Sequence, residues 1–140
     1  MNAEEYLRQV ETLDHAIDRK LRSIAMWRDT ATSISHDMSK VNYNPNRSTN
    51  APFERCIEKA NELEQEVTSD IDRLADLKAE IVQTLSLMGD TYGELILKLK
   101  YVDLMPWENV IDKIGYSRSW VFDKKIEALK KLDEILKSLD

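Results

Sequence analysis

Apolar residues recur along most of this 140-residue chain at helical rather than strand spacing. Read in heptads from Ala3, one column runs Ala3, Val10, Ile17, Ile24 and Ala31. A second runs Tyr6, Leu13, Lys20, Trp27 and Ile34, with Leu7 and Leu21 widening the stripe. Charged residues fill the remaining positions. Glu4 with Arg8 and Asp18 with Arg22 stand four apart, where each pair adds about 0.2–0.5 kcal/mol. The pattern predicts one amphipathic helix over about residues 3–34.

The same pattern returns from Phe53, through Ala60, Val67, Leu74, Ile81 and Met88. Its second column is Cys56, Leu63, Asp70, Leu77 and Thr84, supported by Ile57, Ile71 and Leu85. Pro52 suits the first helical position, where its missing N–H costs nothing, so the second helix is predicted over about 52–87. Residues 35–51 between them are polar, rich in Asn and Ser and aperiodic, which predicts a mobile loop. Two helices of about 50 Å each, joined by one loop, predict an antiparallel hairpin. Each has only one apolar stripe, so a second copy or the C-terminal part is expected to cover it. Lys20 and Asp70 interrupt apolar columns. They either set register, as buried polar positions do in coiled coils, or point outward; the outward orientation is the one expected.

Gly89-Asp90 closes this pattern, and Asp90 suits an N-cap for a helix over about 91–102 burying Leu95, Leu97, Leu99 and Tyr101. After a turn at 103–105, Pro106 opens a helix over 107–114, which Gly115 stops. Ser117 caps a last helix to about Leu139, with an apolar stripe of Val121, Leu129, Leu132, Leu136 and Leu139. The predicted fold is all-α: a long antiparallel helical hairpin (residues 1–88) followed by a three-helix helix-turn-helix unit (residues 89–140).

Composition agrees. Three Gly and three Pro are too few for the turns of a β-sandwich, and no glycine precedes Gly89, so Rossmann and P-loop phosphate turns are excluded. The formal charge is −6, yet residues 117–131 carry a net +3 from Arg118, Lys124, Lys125, Lys130 and Lys131 against Asp123 and Glu127. Cys56 is the only cysteine, no apolar run reaches the ~20 residues of a membrane span, and the first residues are acidic rather than signal-like. A soluble intracellular protein is expected.

The C-terminal pattern carries the candidate function. A helix-turn-helix packs two short helices through a tight turn so that the second stands out into the DNA major groove. Gly115 supplies the turn, and Val110, Ile114 and Val121 are spaced to form the small core between the helices. Ser117, Arg118 and Ser119 fall at the exposed start of the second helix, where N–H groups and hydroxyls can hold phosphate and Arg118 can reach phosphate or guanine. Phe122 and Lys125 are further candidates one and two turns on. Trp107 is expected against the preceding helix. Trp120 has two open readings: packing against Tyr116 or the preceding helix, or contact with DNA backbone or a partner protein.

The stretch Leu99-Lys100-Tyr101-Val102-Asp103-Leu104-Met105-Pro106-Trp107-Glu108-Asn109-Val110, continuing through Ile114-Gly115-Tyr116-Ser117-Arg118-Ser119 to Ala128-Leu129, resembles the DUF1492 proteins of phages and prophages in Gram-positive bacteria. These are similar to the RinA/ArpU late-gene regulators, whose C-terminal part resembles region 4 of sigma-70 factors. The resemblance implies a phage-encoded, DNA-binding transcriptional regulator. The chain departs from the pattern at Ile111, where a small residue is usual, at Asp123, which is acidic on the helix facing phosphate, and at Lys124, usually apolar.

Other chemistry is sparse. Cys56 lies in a core column, and His15 and His36 stand singly, so no metal site is expected. Glu58, Glu62, Glu66 and Asp70 read as a solvated helix face. No nucleophile–base or paired-carboxylate arrangement stands out; the expectation is no enzyme, no catalytic residues and no cofactor. The expected function is transcriptional regulation in the cytoplasm of a bacterial host. Duplex DNA is bound through residues 106–131, and the hairpin joins copies, a dimer being favoured. Two rival readings remain: a protein-interaction module that contacts RNA polymerase or another regulator without DNA, and a small-terminase-like packaging component.

Overall fold

The computed structural model of the chain describes residues 1–40 and 51–139, with side chains for all of these except 37–40. The protein is all-α, with no strand among the described residues. Helix α1 spans Ala3–Lys40, α2 Ala51–Leu85, α3 Thr91–Leu97, α4 Trp107–Ile114 and α5 Arg118–Leu139. A 3-10 turn, Ser86–Met88, follows α2, and a π-helical turn, Lys98–Val102, continues α3. Residues 35–40, expected in the loop, continue α1, and residue 51 already belongs to α2. No Gly or Pro precedes Pro45 in this stretch, so nothing in the backbone stops the helix at Ile34. The rest of the expected loop, residues 41–50, lies outside the described residues.

Contacts gather the chain into two compact units, Met1–Asp14 with Arg73–Asp140, and His15–Asp72. In the second of these, Ile17, Ile24 and Ala31 of α1 and Cys56, Ala60 and Val67 of α2 are buried, the columns that the heptads marked. Lys20 and Asp70 do not point outward as expected. The Lys20 ammonium lies 2.6 Å from the Asp70 carboxylate, and Asp70 is only 6% exposed. Each charge occupies an apolar column because the other meets it there. Arg28 pairs with Glu64 at the half-exposed edge of the same two helices, and the two pairs together show that the helices run antiparallel in this unit. Leu21 and Ile71, expected to widen the stripe, are about half exposed.

The first unit has two cores. Ala3, Leu7 and Val10 of α1, Ile81 and Leu85 of α2, Leu97, Tyr101 and Val102, and Ala128 and Leu132 of α5 form one. Here the Tyr6 and Thr84 hydroxyls are 3.2 Å apart, and Asp133 of α5 accepts a 2.5 Å hydrogen bond from the Ala3 N–H at the start of α1. Ile96, Leu99, Val110, Ile114 and Val121 form the other. The α3–π segment therefore faces apolar neighbours on two sides, with Ile96 and Leu99 toward one core and Leu97, Tyr101 and Val102 toward the other. Leu95, expected to be buried, is left 37% exposed, and Ile96 takes the inward place. The alternation of leucines at 95, 97 and 99 misled because burial here is two-sided.

Three turns set the angles between the short helices. Gly89 (φ 68°) and Gly115 (φ 80°) adopt the left-handed conformation that ends a helix without a Cβ penalty. Leu104 (φ 54°) adopts it too, at a cost of roughly 1–2 kcal/mol. Its side chain packs against the first core, and the adjacent Met105 N–H donates to the Leu99 carbonyl at 3.0 Å.

Asp90 joins these parts. One carboxylate oxygen accepts the Gly93 N–H at 3.2 Å and caps α3, while the other meets Lys124 at 3.0 Å and Lys131 at 3.2 Å on α5. Gly93 lets the helices approach: a Cβ there would stand 2.9 Å from the Asp90 carboxylate and 3.1 Å from the Ala128 Cβ. Burial alone would push the Asp90 carboxyl up. Lys124, the Gly93 N–H and Lys131 together outweigh it and hold the carboxyl below its ordinary value. A depressed pKa means that this stabilisation is full above the ordinary carboxyl range and is lost as pH falls through the folded-state value. Asp90→Ala should lower unfolding free energy by about 1 kcal/mol or more from the lost cap alone, and Asp90→Asn, which can still cap, by less. In thermal melts followed by circular dichroism, the gap between wild type and Asp90→Asn should close as the buffer is taken into acid.

Candidate nucleic-acid interface

Helix α4 opens after Pro106 and closes at Gly115, whose N–H donates to the Ile111 carbonyl at 3.0 Å. Ser117 then accepts the Trp120 N–H on its hydroxyl at 3.2 Å, the N-cap expected for α5. Val110 and Val121 between the two helices are fully buried, each worth about 1.5–3 kcal/mol of transfer from water. Burial of this seam leaves the leading turn of α5 outside: Ser117, Arg118 and Ser119 are all exposed. The Ser117 hydroxyl still has its proton to donate, and the first N–H groups of α5 have no partner within the helix.

The candidates fall into two rows. Arg118, Phe122 and Lys125 stand at i, i+4 and i+7 and share one face of α5. The Arg118 guanidinium lies over the Phe122 ring at 5.3 Å, and the Lys125 ammonium over the same ring at 5.9 Å. Ser119 belongs to the neighbouring row with Asp123, Ile126 and Lys130, all exposed. Asp123 thus places its negative charge on that outward row, beside the cationic one. Ser117 stands at the end of the helix, between the rows.

Two residues missed in the sequence complete the cationic row. The Trp107 ring at the start of α4 packs 4.8 Å from Phe122, with Lys125 over it at 5.4 Å and Lys100, from the π-helical turn, at 5.3 Å. Trp107, expected against the preceding helix, packs on the second core, to which that segment gives Ile96 and Leu99, and is itself half-buried. A period-based reading could not place Lys100 because the π-turn shifts its direction. On the opposite flank, Trp120 stacks on Tyr116 at 4.3 Å and meets Tyr92 edge-on at 5.4 Å, so its packing is against Tyr116 and the start of α3.

The three departures from the sequence pattern find places. Ile111 is half-buried against the second core. Lys124 is the partner of Asp90, which holds its ammonium pKa above the ordinary value. Of the five basic residues in 117–131, Lys124 and Lys131 are therefore paired with Asp90. Arg118 and Lys125 have ring partners instead.

The profile of a family described as "Protein of unknown function (DUF1492)" matches residues 30–133, more than half of the chain. The chain belongs to the DUF1492 family. The DUF1492 match takes in α3, the π-turn and α4, and all candidate residues on α5. No curated relative and no solved structure matches this DUF1492 protein. Among the described residues no helix is long and apolar enough to cross a membrane, and no three His, Cys, Asp or Glu side chains gather as a metal site.

Ser117→Ala should lower stability by about 1 kcal/mol through the lost cap, whereas Ser117→Asp, a competent cap, should melt like wild type. Chemical denaturation of the two variants checks this.

Proposed function

We propose that this DUF1492 protein is a transcriptional regulator, a binding protein rather than an enzyme, that holds duplex DNA through a helix-turn-helix formed by α4 and α5. One observation carries the reading: exposed Arg118 and half-buried Phe122 and Lys125 form one row at the start of α5, where the cations rest on aromatic rings and not on carboxylates. A cation held by a ring keeps its charge for a phosphate. Ser117 and Ser119 add hydroxyl donors, and Arg118 has the fork that matches the guanine edge. The resemblance to late-gene regulators adds the setting, the cytoplasm of a bacterium carrying a phage or prophage. Self-association through the antiparallel part of α1 and α2 would join two weak sites, in a dimer that reads half-sites ~34–36 Å apart or a multiple of this.

A second reading, docking to RNA polymerase or another protein without DNA, is favoured by the partly exposed Tyr92, Tyr116 and Trp120 cluster, since aromatic residues are enriched in protein interfaces. Gel shifts with fragments of the DNA flanking the protein's own gene separate the two. The DNA reading expects a shifted fragment whose affinity falls steeply between about 50 and 200 mM salt. Arg118→Ala should weaken that complex by about 1–3 kcal/mol and relax its sequence preference. No shift with any fragment would favour the protein partner.

A further inference from the structure

We infer that Lys100, on the π-helical turn outside the helix-turn-helix, is a phosphate-contacting residue that extends the duplex-binding surface across Trp107. The inference rests on the DNA-binding reading above. Lys100 and Lys125 come from different elements, yet their ammonium groups lie 5.3 and 5.4 Å from the centre of one ring, that of Trp107. Phe122 adjoins Trp107 at 4.8 Å and carries Arg118, so three cations and two rings form one continuous surface.

What separates these three cations from Lys98, Lys124 and Lys131 of the same unit is the kind of partner. Lys98 pairs with Asp103 at 3.6 Å, and Lys124 and Lys131 with Asp90 at 3.0 and 3.2 Å. In each case a carboxylate cancels the charge. Lys100, Arg118 and Lys125 have no ion pair among the described residues; their partners are rings. A ring orients an ammonium and lowers its conformational freedom without neutralising it. In a chain of net charge −6, that arrangement gathers uncompensated positive charge in one place. Phosphate of a duplex is the occupant that the charge and the adjoining N-terminus of α5 both fit. Lys100 contributes position and affinity, not base choice, because an ammonium on the backbone carries no sequence information.

The test measures binding of the full chain to a random-sequence duplex of about thirty base pairs by fluorescence anisotropy, across a salt series. Lys100→Gln should weaken binding several-fold and reduce the slope of log affinity against log salt by about 1; Lys100→Arg should restore both. The Lys100→Gln/Lys125→Gln double variant should lose about 2 from the slope. Lys130, on the neighbouring row, serves as control, and Lys130→Gln should change the slope less. If wild type binds with a steep slope and Lys100→Gln binds alike, the inference fails while the DNA reading stands. If wild type binds no duplex at low salt, the reading fails and the inference with it.

Discussion

Asp90 is the constraint on which the C-terminal half of the molecule depends. It stands at the start of α3, against the middle of α5. A single carboxylate there caps α3 and holds Lys124 and Lys131. Gly93 must lack a Cβ for this to happen, since any Cβ would press on both Asp90 and Ala128. The geometry of α5 follows. Its Ala128 and Leu132 are drawn into the core built on α1 and α2, and Val121 into the smaller core with α4. The turn from Ser117 to Ser119 runs beyond both cores and stays in solvent.

The same arrangement sorts the positive charge. α5 is basic over residues 118–131, but a basic stretch on a helix is most often a solvated face. Here the lysines that face α3 are matched with Asp90, while the cations on the opposite flank are set on Trp107 and Phe122. Charge paired with a carboxylate and charge resting on rings are therefore on different sides of one helix. That division, more than the net charge of the segment, motivates a nucleic-acid reading.

Local signals made the short helices legible. Gly89 and Asp90, Pro106, Gly115 and Ser117 each mark a boundary through the conformation or hydrogen bond of one or two residues, and each lies where the sequence put it. The heptad columns of α1 and α2 were equally plain, because a long helix buried on one side repeats its instruction many times. Features that depend on a partner far along the chain were not. Lys20 reads as a charge in the wrong column until Asp70, fifty residues on, is seen opposite it. Lys124 reads as a departure until Asp90 is seen beneath it. The exchange of Leu95 for Ile96 follows from burial on two sides, and the place of Lys100 from the π-turn, neither of which single-face periodicity encodes. Of the candidate site, the exposed turn was visible in the sequence; the rings that carry its cations were not.

In the function proposed above, the leading turn of α5 and the adjoining ring-mounted cations meet duplex DNA. Amide chemical shifts of the labelled full chain, followed while a duplex that it binds is added, test this most directly. The largest changes should fall on residues 117–125, with Lys100 and Trp107 beside them. Changes confined to Tyr92, Tyr116 and Trp120, or to the α1–α2 pair, would contradict it.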